Sequence, residues 1–284
     1  MAKFIYTVYL PGLQKTVRLT ELPYSYFKQL VKIITNDDNK LISSAFDDVI
    51  KQHCLDDVSH CNAFDKVLIL LTIRAVCVSP VLELVISCPD TKESYNCNVE
   101  ISDLKTKIEN IGTLTNVKTY DLLSLRYDVP RDFYITDDSD TIQTVVRSIT
   151  INNQTTYDVE PIIDKLPASI LRDAKEFLEN IEERLTDTEL LVFTSPYSAS
   201  ADPIIITANI FNNSILELLK ICFKRDLMSI YEHEYFLMNQ FRLQHETFDR
   251  ITPAEISIYI NLYKEEVKER EKAEKKENIP LKSY

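Results

Sequence analysis

A chain of 284 residues is long enough for one large domain or two of ordinary size, and 45% apolar against 27% charged residues describes a soluble, folded protein rather than a disordered one. With 32 basic and 44 acidic residues the formal charge is −12, so the surface repels phosphate backbones and anionic headgroups, and neither nucleic acid nor membrane is an expected partner. Gly12 and Gly112 are the only glycines, which excludes Walker A, dinucleotide and kinase-type phosphate loops and the G-x-S-x-G nucleophile elbow.

In chain order, "KFIYTVYLPGLQKTVRLTEL" alternates at Phe4, Tyr6 and Val8, turns at Pro11-Gly12 and resumes with Val17 and Leu19, the pattern of a hairpin. From Tyr24 the period changes. Phe27, Leu30, Val31 and Ile34 fall at i, i+3, i+4 and i+7, which predicts a helix ending near "TNDDN". Leu41, Ala45, Val49 and Ile50 predict another helix. Next come a buried helix over "NAFDKVLILLTIRAV" (62–76), a strand over "VLELVIS" (81–87) and its hairpin partner over "NCNVEIS" (96–102). The apolar run 67–86 has the length of a membrane span, but Arg74, Pro80 and Glu83 argue for buried helix then strand. "LLSLRYDV" (122–129) reads as a strand and "TIQTVVRSI" (141–149) as a short helix.

After "NNQTTYDVEP" the pattern turns mainly helical, with one face at Ile170, Ala174, Phe177, Leu178, Ile181 and Leu185. Residues 189–209 interrupt with two strands around a Ser/Ala/Pro tip. Helices return at Ile215, Leu218, Leu219 and Cys222, then at Met228, Tyr231, Tyr235 and Met238, and finally from Pro253. The expected fold class is α+β: a mixed unit of hairpins and helices over 1–155, a helical unit over 156–251 carrying the hairpin 189–209, and a C-terminal helix over 252–284 with a charged, exposed end. Aligning Pro89 with Pro196 superposes helix, strand, "SCP", loop and strand in the first half on helix, strand, "TSP", loop and strand in the second, a pattern that duplication and coincidence explain equally well.

The six cysteines are Cys54, Cys61, Cys77, Cys88, Cys97 and Cys222, and the opening "MAKFIYTVYLPGL" lacks the apolar core of a secretory signal, so free thiols in a reducing cytoplasm are expected. Cys88 and Cys97 bracket the tip of the 81–102 hairpin, where a disulfide is geometrically conceivable but at odds with that compartment. Zinc needs four ligands. The further donors closest in sequence are His53, Cys54, His60 and Cys61, two His-Cys dipeptides seven apart that would share a face only on a helix. Ordinary thiols and a polar helix end are the competing reading. "HEYFL" and "HETFD" both fail H-E-x-x-H at its fifth position, and "NDDN" and "DDSD" lack the Gly and terminal Glu of an EF-hand, so no catalytic residue and no cofactor is assigned.

Thr252 and Glu255 have capping-box spacing with Pro253 at the first helical position, and Ile256, Tyr259, Ile260, Tyr263 and Val267 form one apolar stripe. Beyond it the pairs Glu266/Arg270 and Glu271/Lys275 decorate a solvated helix. Tyr263, Val267 and Arg270 are the candidate partner-binding residues if that end docks on another chain rather than fraying.

"IYTVYLPGLQKTVRLTELPYSYFKQLVK" followed by "FDKVLILLTIRAVCVSPVLELVISCP" resembles the baseplate hub assembly proteins of T-even-type contractile-tailed bacteriophages. "AKEFLENIEERL" with "ELLVFTSP", and "LKICFKRDLMSIYEHEYFLMNQF" with "ITPAEISIYINLYKEE", are similar to the later helices of that family. The resemblance implies a non-enzymatic assembly chaperone or scaffold, a late protein of virion morphogenesis in the host cytoplasm. By that resemblance it binds baseplate hub proteins and the tape-measure protein, with a place in the finished virion left open. It also implies that Ser195 stands where some relatives carry the first cysteine of a C-P-x-C zinc knuckle, and no thiol occurs over 194–203. The rival classes are an enzyme built on dispersed carboxylates, which requires a deep cleft, and a zinc-dependent regulatory module, which requires a full ligand set.

Overall fold

The structure is a computed structural model that describes residues 4–111, 114–121, 123–133, 144–163, 165–198 and 200–277. Strands β1 (Ile5–Leu10) and β2 (Lys15–Thr20) pair antiparallel with Val8 opposite Val17. Val8, Leu10, Val17 and Leu19 point inward, whereas Phe4 is exposed, so the buried alternation starts at Tyr6. Helix α1 (Tyr24–Thr35) buries the predicted stripe. In α2 (Asn39–His53) the Asp38 carboxylate caps the N-terminus by accepting from Lys40 N and Leu41 N. Its buried face is Ile42, Phe46, Val49, Ile50 and His53, while Leu41 is exposed. The larger side chains Ile42 and Phe46 set the start of that face in place of Leu41 and Ala45.

Helix α3 (Ala63–Cys77) is buried on every side and is the axis of the molecule. Asn62 caps it, its Oδ1 accepting from Asp65 N at 2.9 Å. The polar groups that the apolar run carries inside are satisfied. Thr72 donates to Leu68 O at 2.8 Å, and Arg74 Nε donates to Cys222 O at 2.7 Å. Arg74 thus caps a later helix from within the core, at the cost of an acidity that burial pulls down to about 10. No described helix is long and apolar enough to cross a membrane.

The hairpin β3 (Val81–Ser87) and β4 (Ser94–Glu100) places Cys97 opposite Leu84. The second strand starts two residues earlier than predicted and gives way at Ile101 to α4 (Ile101–Ile111), a helix absent from the expectation. Ile101, Leu104, Ile108 and Ile111 form its buried face, but Ile101 also continues the alternation of the strand and masks the change of period.

A four-stranded antiparallel sheet follows in the order β5 (Asn116–Tyr120), β6 (Leu123–Tyr127), β7 (Val146–Ile151), β8 (Gln154–Thr156). The short helix predicted over 141–149 is thereby corrected: residues 146–151 are an inner strand, and residues 141–143 lie outside the described residues, as does "DDSD" at 137–140. Val146, Ile149 and Ile151 are β-branched, and pairing on both edges, to β6 and β8, overrides the local helical spacing. Asn152 and Asn153 both have positive φ, 50° and 65°, the backbone of a two-residue hairpin turn. The boundary expected at 155/156 therefore lies in β8.

Beyond α5 (Glu160–Ile163), helix α6 (Ala168–Asp187) buries Ile170, Ala174, Ile181 and Leu185. The second predicted hairpin is β9 (Glu189–Phe193) with β10 (Ile204–Thr207). Helices α7 (Ser214–Phe223), α8 (Leu227–Phe241) and α9 (Pro253–Glu277) complete the chain. The main core draws on β1 through α4 and on α6, β9, α7, α8 and α9, and a second cluster joins the four-stranded sheet to α5 and α6. Phe177 packs on both, its ring 5.4 Å from that of Tyr127. The whole is mixed α+β with a helical C-terminal region, as the sequence patterns predict.

Candidate functional site

The tips of the two hairpins, distant in sequence, meet in space. Cys88 ends β3 and is buried, with Cys88 N donating to Glu93 O at 2.8 Å and Lys92 N donating to Cys88 O at 3.0 Å. This turn requires a left-handed residue, and Lys92 takes that place at φ 63°. From the other tip the Tyr197 hydroxyl donates to Ser94 O at 3.3 Å and Ser198 Oγ donates to Asp90 Oδ2 at 2.8 Å. Hydrogen bonds from the Ser195 hydroxyl, then from the hydroxyl and backbone N–H of Thr91, pull the Cys88 thiol down to about 7.

The other metal candidates do not join it. Cys97 is half-buried in the middle of β4, against the main core. His53 closes α2, its Nδ1 3.3 Å from Thr20 Oγ1 and its ring edge-on to Tyr26. Cys54 has already left the helix, forming a bridge with Leu19. His60 stacks on Tyr157 at 4.5 Å, and Cys61 is buried, its thiol pushed up by that burial. Because residues 54–62 are not helical, the two His-Cys dipeptides share no helical face. Among the described residues no three His, Cys, Asp or Glu side chains group as a metal ion needs. A zinc knuckle at the paired tips does not fit the donors either: around Cys88 stand the hydroxyls of Thr91 and Ser195, which hold their protons at neutral pH, where a structural zinc takes thiolate or imidazole.

The second surface feature lies on α8. The stripe Met228, Tyr231, Tyr235 and Met238, read from sequence as one helical face, points outward, with Tyr235 73% and Met228 65% exposed. The buried face is Ile230, Glu234 and Leu237 instead. Its orientation is fixed from α1: Lys28 Nζ pairs with the Glu234 carboxylate at 2.7 Å, and the Tyr24 hydroxyl donates to Ile230 O at 3.0 Å. A buried ion pair thus outweighs two methionines. Lys28 and Lys32 also lie over the Tyr231 ring, at 4.8 and 5.5 Å, and hold it in place.

Helix α9 extends this surface. The capping box forms as predicted, Glu255 N donating to Thr252 Oγ1 at 3.3 Å and Thr252 N to Glu255 Oε2 at 2.7 Å. Ile256 and Ile260 are buried, but Tyr259 is 43% exposed and stands with Ile258 and Leu262 on the outer side. Of the partner-binding candidates, Tyr263 packs its ring on Phe236 at 5.0 Å and donates its hydroxyl to Gln240 Oε1. Val267 is half-buried, and Arg270 pairs with Glu266 on an exposed turn. Lys275 of the second predicted pair lies outside the described side chains.

One cleft, of about 160 Å³, opens between β6, β7 and β8 and is lined by Asp128, Arg131, Arg147 and Tyr157. That is smaller than the roughly 300–1,000 Å³ of an ordinary substrate pocket. Burial and the Arg131 charge bring Arg147 down to about 10, while burial raises Asp128.

These features define a mixed α+β body that presents an aromatic, methionine-bearing face and a braced pair of loops. Residues 1–190 match the family described as T4 bacteriophage base plate protein, two thirds of the chain, and the chain belongs to that family. No curated protein and no solved structure matches it. Membership gives the protein a structural or assembly role in the phage baseplate, among other baseplate proteins. The match ends just after α6, so the outward face of α8 and α9 lies beyond it.

Proposed function

We propose that this protein assists assembly of the central hub of the baseplate by protein–protein binding in the infected cell's cytoplasm, with hub proteins and the tape-measure protein as partners and no catalytic step. The observation that carries this reading is the outward face of α8: four large apolar side chains on one helix, adjoining Phe241, Ile258, Tyr259 and Leu262, all exposed. Exposed apolar patches mark association surfaces, and Met and Tyr are residue types that interfaces favour. The acidic balance of the chain supports protein rather than nucleic acid as the partner. The Tyr263, Val267 and Arg270 side of α9 is a secondary candidate, since Tyr263 is already engaged with α8.

Affinity capture from infected cells tests the proposal. The tagged wild-type chain is expected to bring down hub and tape-measure chains, and Tyr231→Lys/Tyr235→Lys to lose most of them while keeping its far-ultraviolet dichroism. Undiminished capture of the same chains by the double variant would remove this face from the account.

A further inference from the structure

Each hairpin tip carries the same four-residue phrase: Cys88-Pro89-Asp90-Thr91 in the first and Ser195-Pro196-Tyr197-Ser198 in the second. The phrases also fold alike. In the second, Tyr197 N donates to Ser195 Oγ at 3.2 Å, so the N–H two residues on reaches back to the leading side chain. In the first, the N–H of Asp90, likewise two residues on, reaches back to the Cys88 sulfur, joined by that of Thr91. The leading residues face each other, Ser195 hydroxyl to Cys88 sulfur, and the residues at the fourth position lie on the same seam, with Ser198 bonded to Asp90. The rings of Tyr95 and Tyr197 close the seam edge-on, 6.3 Å apart.

Two loops that each present side chains at positions one and four, with backbone N–H groups aimed at the first, form the arrangement in which paired C-x-x-C loops hold a tetrahedral metal ion. Here one of the four positions is a thiol and three are hydroxyls. We propose that Cys88, Thr91, Ser195 and Ser198 occupy the positions of such a two-loop metal site, and that a network of hydrogen bonds centred on the thiol braces the tips in place of the ion. A serine or threonine hydroxyl is a poor ligand for zinc at neutral pH because it keeps its proton, but it donates a hydrogen bond to sulfur without needing to lose it. The brace is accordingly indifferent to chelators and sensitive to modification of one sulfur. It ties the β3–β4 hairpin, within the family-matched part of the chain, to the β9–β10 tip outside it.

The test restores the thiols in the full chain. Thr91→Cys/Ser195→Cys/Ser198→Cys, produced with zinc and then stripped, is expected to bind one Co²⁺ per chain with the intense visible absorption of tetrahedral cobalt thiolate, bleached by added Zn²⁺. The wild type should show no such band, retain no zinc through dialysis and keep its melting temperature in EDTA. A folded triple variant that takes up no tetrahedral cobalt would overturn the proposal, as would a wild-type chain that holds stoichiometric zinc. Should the triple variant not fold, Ser195→Cys alone decides. Mild oxidation is expected to link it to Cys88, detected as a disulfide-joined peptide pair, and two thiols that stay free in a folded protein refute the facing geometry.

Discussion

Replacing Asp65 by Asn should stabilise the protein at neutral pH, although Asp65 is fully buried and hydrogen-bonded. The carboxylate sits in the first turn of α3, accepting from Gly12 N at 3.0 Å through Oδ1, while Oδ2 is buried with no hydrogen-bond partner. Burial pushes its pKa up to about 6; the Gly12 hydrogen bond and the Arg147 charge act against this, and the Asp128 charge adds to it. In the unfolded chain the group titrates near 3.9. Between these values the native state holds a proton that the unfolded state has released, so stability falls as pH rises through the window from about 4 to about 6. Two pH units at 1.36 kcal/mol each amount to about 3 kcal/mol by pH 7. Asn keeps the acceptor for Gly12 N and carries no charge, so it escapes that loss. Urea unfolding of both proteins from pH 4 to pH 7.5 isolates the effect, since groups shared by both cancel in the difference. The variant's relative stability should climb by about 3 kcal/mol across the window and then level off. A difference that stays flat with pH would mean that Asp65 titrates normally and that the cost assigned to its burial is wrong.

Gly12→Ala should cost about 1 to 3 kcal/mol in urea unfolding, because a Cβ there would lie 2.5 Å from Asn62 Nδ2 and 2.6 Å from Asp65 Oδ2 and displace the cap of α3; an unchanged midpoint would show that the cap gives way freely. Lys28→Met leaves Glu234, whose side chain is only 7% exposed, without its cation, and a loss of about 3 kcal/mol is expected, with most of it recovered by adding Glu234→Gln. If the double variant were no better than the single, the loss would lie in packing. Deleting residues 268–284 removes an exposed turn and the Glu266/Arg270 pair, worth about 0.3 to 0.5 kcal/mol, so the melting temperature should move by no more than about 2 °C; a large drop would place the tail in the core. A division near 155/156 predicts first proteolytic cuts in the exposed stretch 152–158, and the main core, which takes side chains from both sides of it, predicts that the two pieces co-elute in gel filtration. Resistance of that stretch, or separation of the pieces, would contradict one half or the other.

What was legible in the sequence is local. The capping box at Thr252 and Glu255, the stripe from Phe27 to Ile34 and the unbroken apolar run of α3 each state their element within one or two turns of chain. Helix α4 was hidden because Ile101 satisfies two periods at once. The face of α8 was misread because Glu234 becomes an inner residue only through Lys28, 206 positions away. The pairing of the hairpin tips is equally remote in sequence, and the Pro89/Pro196 echo was its one visible trace. The spacing of Thr91 and Ser198, each three after its leading residue, was there to be read beside it, but what those hydroxyls do depends on the approach of the two tips.

The complete burial of α3 has a bearing on how the protein is made. Its surface is covered in part by β1, β2 and α2, which leave the ribosome before it, and in part by α7 and α9, which leave long after it. At roughly 5 to 20 residues per second, the stretch from Cys77 to Ser214 takes on the order of 10 s to synthesise. Over that interval the most apolar helix of the chain lacks its last cover, and Arg74 lacks the Cys222 carbonyl that it will cap. Nascent chains of this protein are therefore at greatest risk of sticking to one another before the last helices emerge, and a shortfall in its yield is expected to trace to synthesis rather than to the stability of the finished fold.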